Sequence, residues 1–355
     1  MDRLDRLWQT APTADADTLD RQALRARLVR LTLLAVGGLA AAAVAWQTVP
    51  ASRAALVHLT LGLVPAYLGL MTVTVSLLAL RWRRVLESVG VSLPLLRLMQ
   101  LWLAARAVGS LIPSGTLAGE PVRAYLLRAG AVPSPLAAGT VALDRTLELA
   151  GNMIAGPVCV ATALALGAGS LAGAMVAALT AGSGLAVLIF VYERARRGAP
   201  ALVTLLGPTS WGGGRPNSVI AIARGHAAKT DAALQQLVAA HPRLVPIGVA
   251  LSLVIECVQL AEIALLYTVF GLIVPLPLLL LSSVGIGVAR VIPVSASLGS
   301  LEATQIGIFA LGGRTVGLGL SVGLVLRLAE TFRILVGLVC LVTAPGAATL
   351  RARRA

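Results

Sequence analysis

The chain has 355 residues, of which 57% are hydrophobic and only 12% charged, with 36 glycines and a formal net charge of +14. A soluble domain needs polar surface in proportion to its core, so this composition excludes one and indicates a polytopic membrane protein. The arginines collect at the ends of apolar runs, which fits positive-inside topology and anionic lipid headgroups and argues against nucleic acid as a partner. Cys159, Cys257, Cys340 and His58, His226, His241 are scattered singly. Neither a disulfide framework nor a metal centre is expected from them, and no cofactor is implied.

Residues 1–27 read as a cytoplasmic lead with Leu4, Leu7 and Trp8 on one face, and the first apolar run reads as a retained anchor rather than a cleaved leader. Residues 28–192 form a first transmembrane half. It holds a span at about 29–49 after Arg25, Arg27 and Arg30, and a second at about 55–80 that ends in Arg81-Trp82-Arg83-Arg84. Each is long enough for the ~30 Å hydrocarbon core, and the basic flanks put the N-terminus inside. Pro94 to Ile112, with Arg97 and Arg106, reads as a helix closed by Pro113-Ser114-Gly115, and 120–129 is too short to span. We read 94–129 as a re-entrant hairpin; the alternative is one full span followed by an interfacial helix. A third span at about 135–166 carries Asp144, Arg145 and Glu148, and a fourth at about 171–192 ends in Glu193-Arg194-Ala195-Arg196-Arg197.

Residues 193–242 form a cytoplasmic linker, with a flexible Gly212-Gly213-Gly214 that lacks the following Lys-Ser/Thr of a phosphate loop. The second half, 243–345, begins with a span at about 244–273 that places Glu256, Gln259 and Glu262 within one 120° arc at about 100° per residue. A second hairpin follows at about 276–312 and a last span at about 315–344, before a basic cytoplasmic tail at 346–355. The expected fold is therefore all-α, with six spans and two re-entrant helical hairpins. The halves run in opposite senses, an inverted repeat of the kind secondary transporters use, with the site at the repeat interface. Glu120, Arg145 and Glu148 recur as Glu302, Arg327 and Glu330, each 182 positions later.

Charge and broken backbone at membrane depth are costly and persist mainly where they line a cavity or serve a function. The candidate substrate-binding residues are Glu120, Arg123, Asp144, Arg145, Glu148, Glu302, Arg327 and Glu330. Two readings stand: ion pairs that only hold the bundle together, or a midplane polar chamber that takes a charged headgroup while the acyl chains stay in lipid. The breakers before Glu120 and Glu302 would expose backbone N–H groups at the starts of short helices, where the dipole favours an anion. Glu120 and Glu302 would then pair with arginines when the site is empty, or carry protons. Glu256 and Glu262 are either proton carriers or partners for arginines on a neighbouring span. Ser114, Ser295 and Ser297 suit turn satisfaction better than nucleophilic chemistry. No catalytic motif is present, so an enzyme is not expected.

Gly119-Glu120, Arg123-Ala124 and Leu127, followed by Asp144-Arg145 and Glu148 in a span, resemble the lysylphosphatidylglycerol synthase-type transmembrane family, also called flippase-like domain proteins. The Pro293 to Glu302 segment is similar to that family's second Pro/Gly-rich motif, although Val294-Ser295-Ala296-Ser297-Leu298 is more polar and poorer in glycine. The resemblance covers about 30–345 and leaves no room for the soluble aminoacyl-transferase domain of the synthesising members. It implies a flippase that moves an anionic or aminoacylated lipid, with polyprenyl-phosphate-linked sugars and hopanoid-type lipids as other candidates. The implied setting is the bacterial inner membrane with both termini cytoplasmic. The alternative is a non-transporting scaffold or accessory subunit of a lipid-synthesis pathway, and a homo-oligomer or a lipid-synthesis partner stays open.

Overall fold

A computed structural model describes residues 60–112, 119–128, 132–167, 189–205, 243–292 and 297–343, with isolated positions at 182, 186, 228, 231, 232, 235, 236 and 239–241. The expected first span, most of the fourth, the triple glycine and both terminal segments lie outside the described residues. Within them, all regular structure is helical. A short 3-10 turn at Leu61–Leu63 leads into α1, Val64–Glu87. Then come α2 (Leu95–Leu111), α3 (Gly119–Arg128) and α4 (Ser134–Ala165). After helical residues at Leu202–Leu205 follow α5 (Leu244–Val269), α6 (Leu276–Val291), α7 (Ser300–Leu311) and α8 (Val316–Thr343).

Proline sets several starts. Pro94, Pro133 and Pro275 sit in extended backbone just before α2, α4 and α6, where no helical N–H is needed. At the end of α5, Gly271 takes φ +67° and Leu272 N–H bonds back to Tyr267 O at 2.9 Å, which turns the chain into α6. Three described stretches, Leu61–Glu87, Leu136–Ala165 and Leu244–Val269, are long and apolar enough to cross a membrane. The protein is a membrane protein whose described regular structure is all helical. At about 1.5 Å per residue, α2 and α6 measure roughly 25 Å and α7 roughly 18 Å.

The helix that follows the first 3-10 turn is longer than the sequence suggests. The basic run at 81–84 reads as the end of a span, yet α1 continues to Glu87. Arg81 is 1% exposed and Trp82 fully buried, because both face the protein, while Arg83 and Arg84 turn outward and pair with Glu87. Leu86, Val89 and Val91 at this end share a core with Val191, Ala195 and Ala201. The basic runs at 81–84 and 194–197 therefore sit at one end of the bundle. There, hydrogen bonds from Arg196 and Arg197 hold the exposed Glu193 carboxyl down at about 2.

α2 packs along α8, and α6 packs along α4, while α1 and α4 both pack on α5. Glycine permits the closest of these approaches. A Cβ at Gly337 on α8 would lie inside van der Waals contact of the Leu103 carbonyl oxygen and the Ala107 Cβ on α2. The obstruction is backbone, which has little freedom to move. Gly337→Val should cost about 1–3 kcal/mol, read as a lowered unfolding midpoint in detergent. Gly69→Val, with nothing within 4 Å of its Cβ, is the matched control and should change the midpoint little.

Candidate functional site

Between α1, α2, α4, α5, α6, the start of α7 and α8 lies a chamber of about 1050 Å³. Much of its wall is apolar, from residues such as Met71, Leu78, Ile154, Val158, Leu260 and Val284. Into it project Arg106, Arg145, Arg290 and Arg333, together with Glu148, Glu256, Glu262 and Glu330. Pro157 and Met153 also line it; proline at 157 withdraws the N–H that would bond to the Met153 carbonyl, one turn of α4 inside the chamber wall.

One group of charges is built on α1, α3 and α4. Asp144 is fully buried and accepts from two guanidiniums: Arg81 Nε at 2.8 Å and Arg123 Nη2 at 2.7 Å. Arg81 also reaches Glu148 at 3.2 Å and Ser252 Oγ at 3.1 Å, so it ties α1 to α4 and α5. Arg123 stacks over the Trp82 ring at 4.2 Å and contacts Glu120 at 3.4 Å. Arg145 bonds Glu148 at 2.5 Å and lies 3.9 Å from Glu120. Three arginines and three carboxylates close the group, so each of these buried charges has an opposite charge beside it.

A second group joins the other helices. Glu330 on α8 is contacted by Arg106 from α2 at 3.3 Å, Arg290 from α6 at 3.3 Å and Arg333 from its own helix at 3.6 Å. Arg333 also pairs with the buried Glu262 on α5, which accepts from Thr74 Oγ1 at 2.7 Å. Apart from this group, Glu302 grips Arg327 through two bonds of 2.8 Å, and Arg327 donates to Ser297 O at 2.7 Å. Glu256 contacts no guanidinium among these ion pairs; the Asn152 amide, turned to its better-satisfied orientation, donates to it at 2.5 Å.

Of the residues singled out from the sequence, Arg145, Glu148, Glu256, Glu262 and Glu330 line the chamber. Glu120, Arg123, Asp144, Glu302 and Arg327 do not; they stand behind its wall in ion pairs. The repeat-related pairs Glu120–Arg145 and Glu302–Arg327 both form, at 3.9 and 2.8 Å. On α8, Arg333 pairs with Glu330 at 3.6 Å, while the Arg327 guanidinium is gripped by Glu302 from α7. At the start of α7, Glu302 itself accepts from the Gly299 N–H at 3.0 Å. The corresponding segment before α3, at 113–118, lies outside the described residues.

Sequence reasoning missed Arg81, Arg106, Arg290 and Ser252 as members of the site. Arg81 was hidden in a basic run that reads as a topological signal, and Arg290 stands alone among apolar neighbours. The one available signal was that a lone arginine deep in an apolar helix requires a partner.

Among known proteins, a family model described as the lysylphosphatidylglycerol synthase TM region matches residues 28–337. No curated protein matches the chain.

Proposed function

We propose a lipid-translocating role for this chain, which belongs to the lysylphosphatidylglycerol synthase transmembrane-region family. The observation that carries the proposal is the chamber, whose largely apolar wall carries four guanidiniums and four carboxylates. Such a space suits a charged headgroup whose acyl chains stay among apolar side chains. In this reading Arg145, Glu148 and Glu330 face the headgroup, and Glu120, Arg123, Asp144, Glu302 and Arg327 position the helices that carry them. The short pairs α2/α3 and α6/α7 act as the re-entrant hairpins of an inverted repeat. The reciprocal packing of α2 on α8 and of α6 on α4 supports this assignment, as does the pairing of Glu120 with Arg145 and Glu302 with Arg327. The cargo is an anionic or aminoacylated lipid of a bacterial inner membrane, and no chemical conversion is assigned to the chain.

Proteoliposomes loaded with a headgroup-labelled fluorescent phosphatidylglycerol test this directly. Dithionite added outside should quench signal from both leaflets when the protein is present. Quenching that stops at the outer leaflet would sink translocation and leave the scaffold reading, which the closed Arg81–Asp144–Arg123 network favours. Lipids recovered after incubation should have unchanged masses; a new species would reveal an enzyme.

Both termini and the 81–88 end of α1 are assigned to the cytoplasm. A single cysteine at Ser88 in a Cys-free background should be shielded from an impermeant thiol reagent in intact cells and label after permeabilisation. Labelling in intact cells would reverse the topology. For coupling to protons, Glu256 is the better placed of the two acidic candidates, since Glu262 is held by Arg333 and Thr74. Glu256→Gln should flatten the pH profile of translocation; a profile like that of the wild type would remove Glu256 from that role.

A further inference from the structure

The ion pairs of the chamber do not balance locally. Arg81, Arg123 and Arg145 meet Glu120, Asp144 and Glu148, and Arg327 meets Glu302. Around Glu330, however, three guanidiniums, from Arg106, Arg290 and Arg333, share two carboxylates, Glu330 and Glu262, while Glu256, the other carboxylate on this part of the lining, makes none of these ion pairs. The geometry matches the imbalance. Glu302 holds Arg327 through two short bonds, whereas Glu330 touches Arg106 and Arg290 through one Nη2 atom each, at 3.3 Å. A guanidinium has five N–H donors in a planar fork, and a single long contact leaves most of that fork to the chamber.

From this we infer that Arg106 and Arg290 form a phosphate-binding subsite on the chamber wall, with Glu330 as its exchangeable internal occupant. The two arginines come from different helices, α2 and α6, and both side chains are partly open to the chamber, 23% and 27% exposed. A tetrahedral phosphate offers more acceptor oxygens than one carboxylate and can engage both forks at once. When phosphate enters, Glu330 keeps Arg333, its neighbour on α8, so the exchange strands no buried carboxylate. The inference rests on the lipid reading for its physiological cargo, but the chemistry recognised is the phosphate group, whether on a lipid or free.

The chamber carries its own reporter, because the Arg106 guanidinium lies over the Trp102 ring at 5.8 Å. Purified protein in detergent is titrated with dioctanoyl phosphatidylglycerol, with dioctanoylglycerol and with inorganic phosphate, reading tryptophan fluorescence against Trp102→Phe as the blank. The phosphate-bearing lipid should saturate the signal and dioctanoylglycerol should bind more weakly. Saturation by inorganic phosphate at the same concentrations as the lipid would identify free phosphate as the cargo of the subsite. A much weaker response would identify the lipid phosphate.

Arg106→Lys and Arg290→Lys keep the charge but lose the fork, and each should weaken phosphatidylglycerol binding by about tenfold without changing dioctanoylglycerol binding. Glu330→Gln removes the competitor and should tighten phosphatidylglycerol binding by about threefold or more. If that variant does not fold, the two lysine variants decide. Equal binding of the two lipids to the wild type, or lysine variants that bind phosphatidylglycerol as the wild type does, would overturn the subsite. Failure of the dithionite assay with intact phosphate selectivity would remove translocation and leave the subsite standing.

Discussion

Asp144→Asn should lose about 3–5 kcal/mol of stability, because it leaves two buried guanidiniums without the charge that both share. Asp144 is fully buried and accepts from Arg81 and Arg123, which are 1% and 4% exposed. Neither arginine reaches bulk water to recover its hydration. The amide keeps the shape and one acceptor oxygen, so the loss reports charge rather than volume. Arg83→Gln, at the same end of α1 but pairing with the half-exposed Glu87, should cost at most about 1 kcal/mol. The unfolding midpoint in detergent, followed by fluorescence-detected gel filtration, separates them. An Asp144→Asn midpoint equal to that of Arg83→Gln would mean that this network does not hold α1, α3 and α4 together.

The second large effect is on function with the fold intact. Arg145→Gln combined with Glu148→Gln removes two charges from the chamber lining and strands neither remaining partner. Arg81 keeps Asp144 and Ser252, and Glu120 keeps Arg123 at 3.4 Å. The double variant should therefore insert and unfold much like the wild type, while headgroup translocation falls by about tenfold or more, the effect of about 1.4 kcal/mol. Near-normal translocation would reduce Arg145 and Glu148 to packing elements. The matching change in the second half is Arg327→Gln with Glu302→Gln, since Glu302 and not Glu330 is the bidentate partner there. That pair is absent from the lining, so its neutralisation should change stability more than selectivity. The contrast between the two double variants tests whether lining and wall residues have separate tasks.

The amino-acid sequence by itself determined the membrane class, the family and, among the described residues, most helix boundaries. The helix expected from Pro94 to Ile112 is Leu95–Leu111, the span expected at about 135–166 is Ser134–Ala165, and the last at about 315–344 is Val316–Thr343. These were legible because hydropathy, proline and glycine act within a few residues of themselves. The pairing of Arg145 with Glu148 was legible for the same reason, being three positions apart on one helix. Only the tertiary structure decided which charges meet across helices. Arg81 finds Asp144 across 63 positions, Arg290 finds Glu330 across 40, and Arg106 finds Glu330 across 224. Local sequence does not encode these distances. Partner choice for a buried charge is set by which helix faces the packing brings together, and that follows from the shape of the whole bundle, down to a glycine such as Gly337 that lets α8 lie against α2.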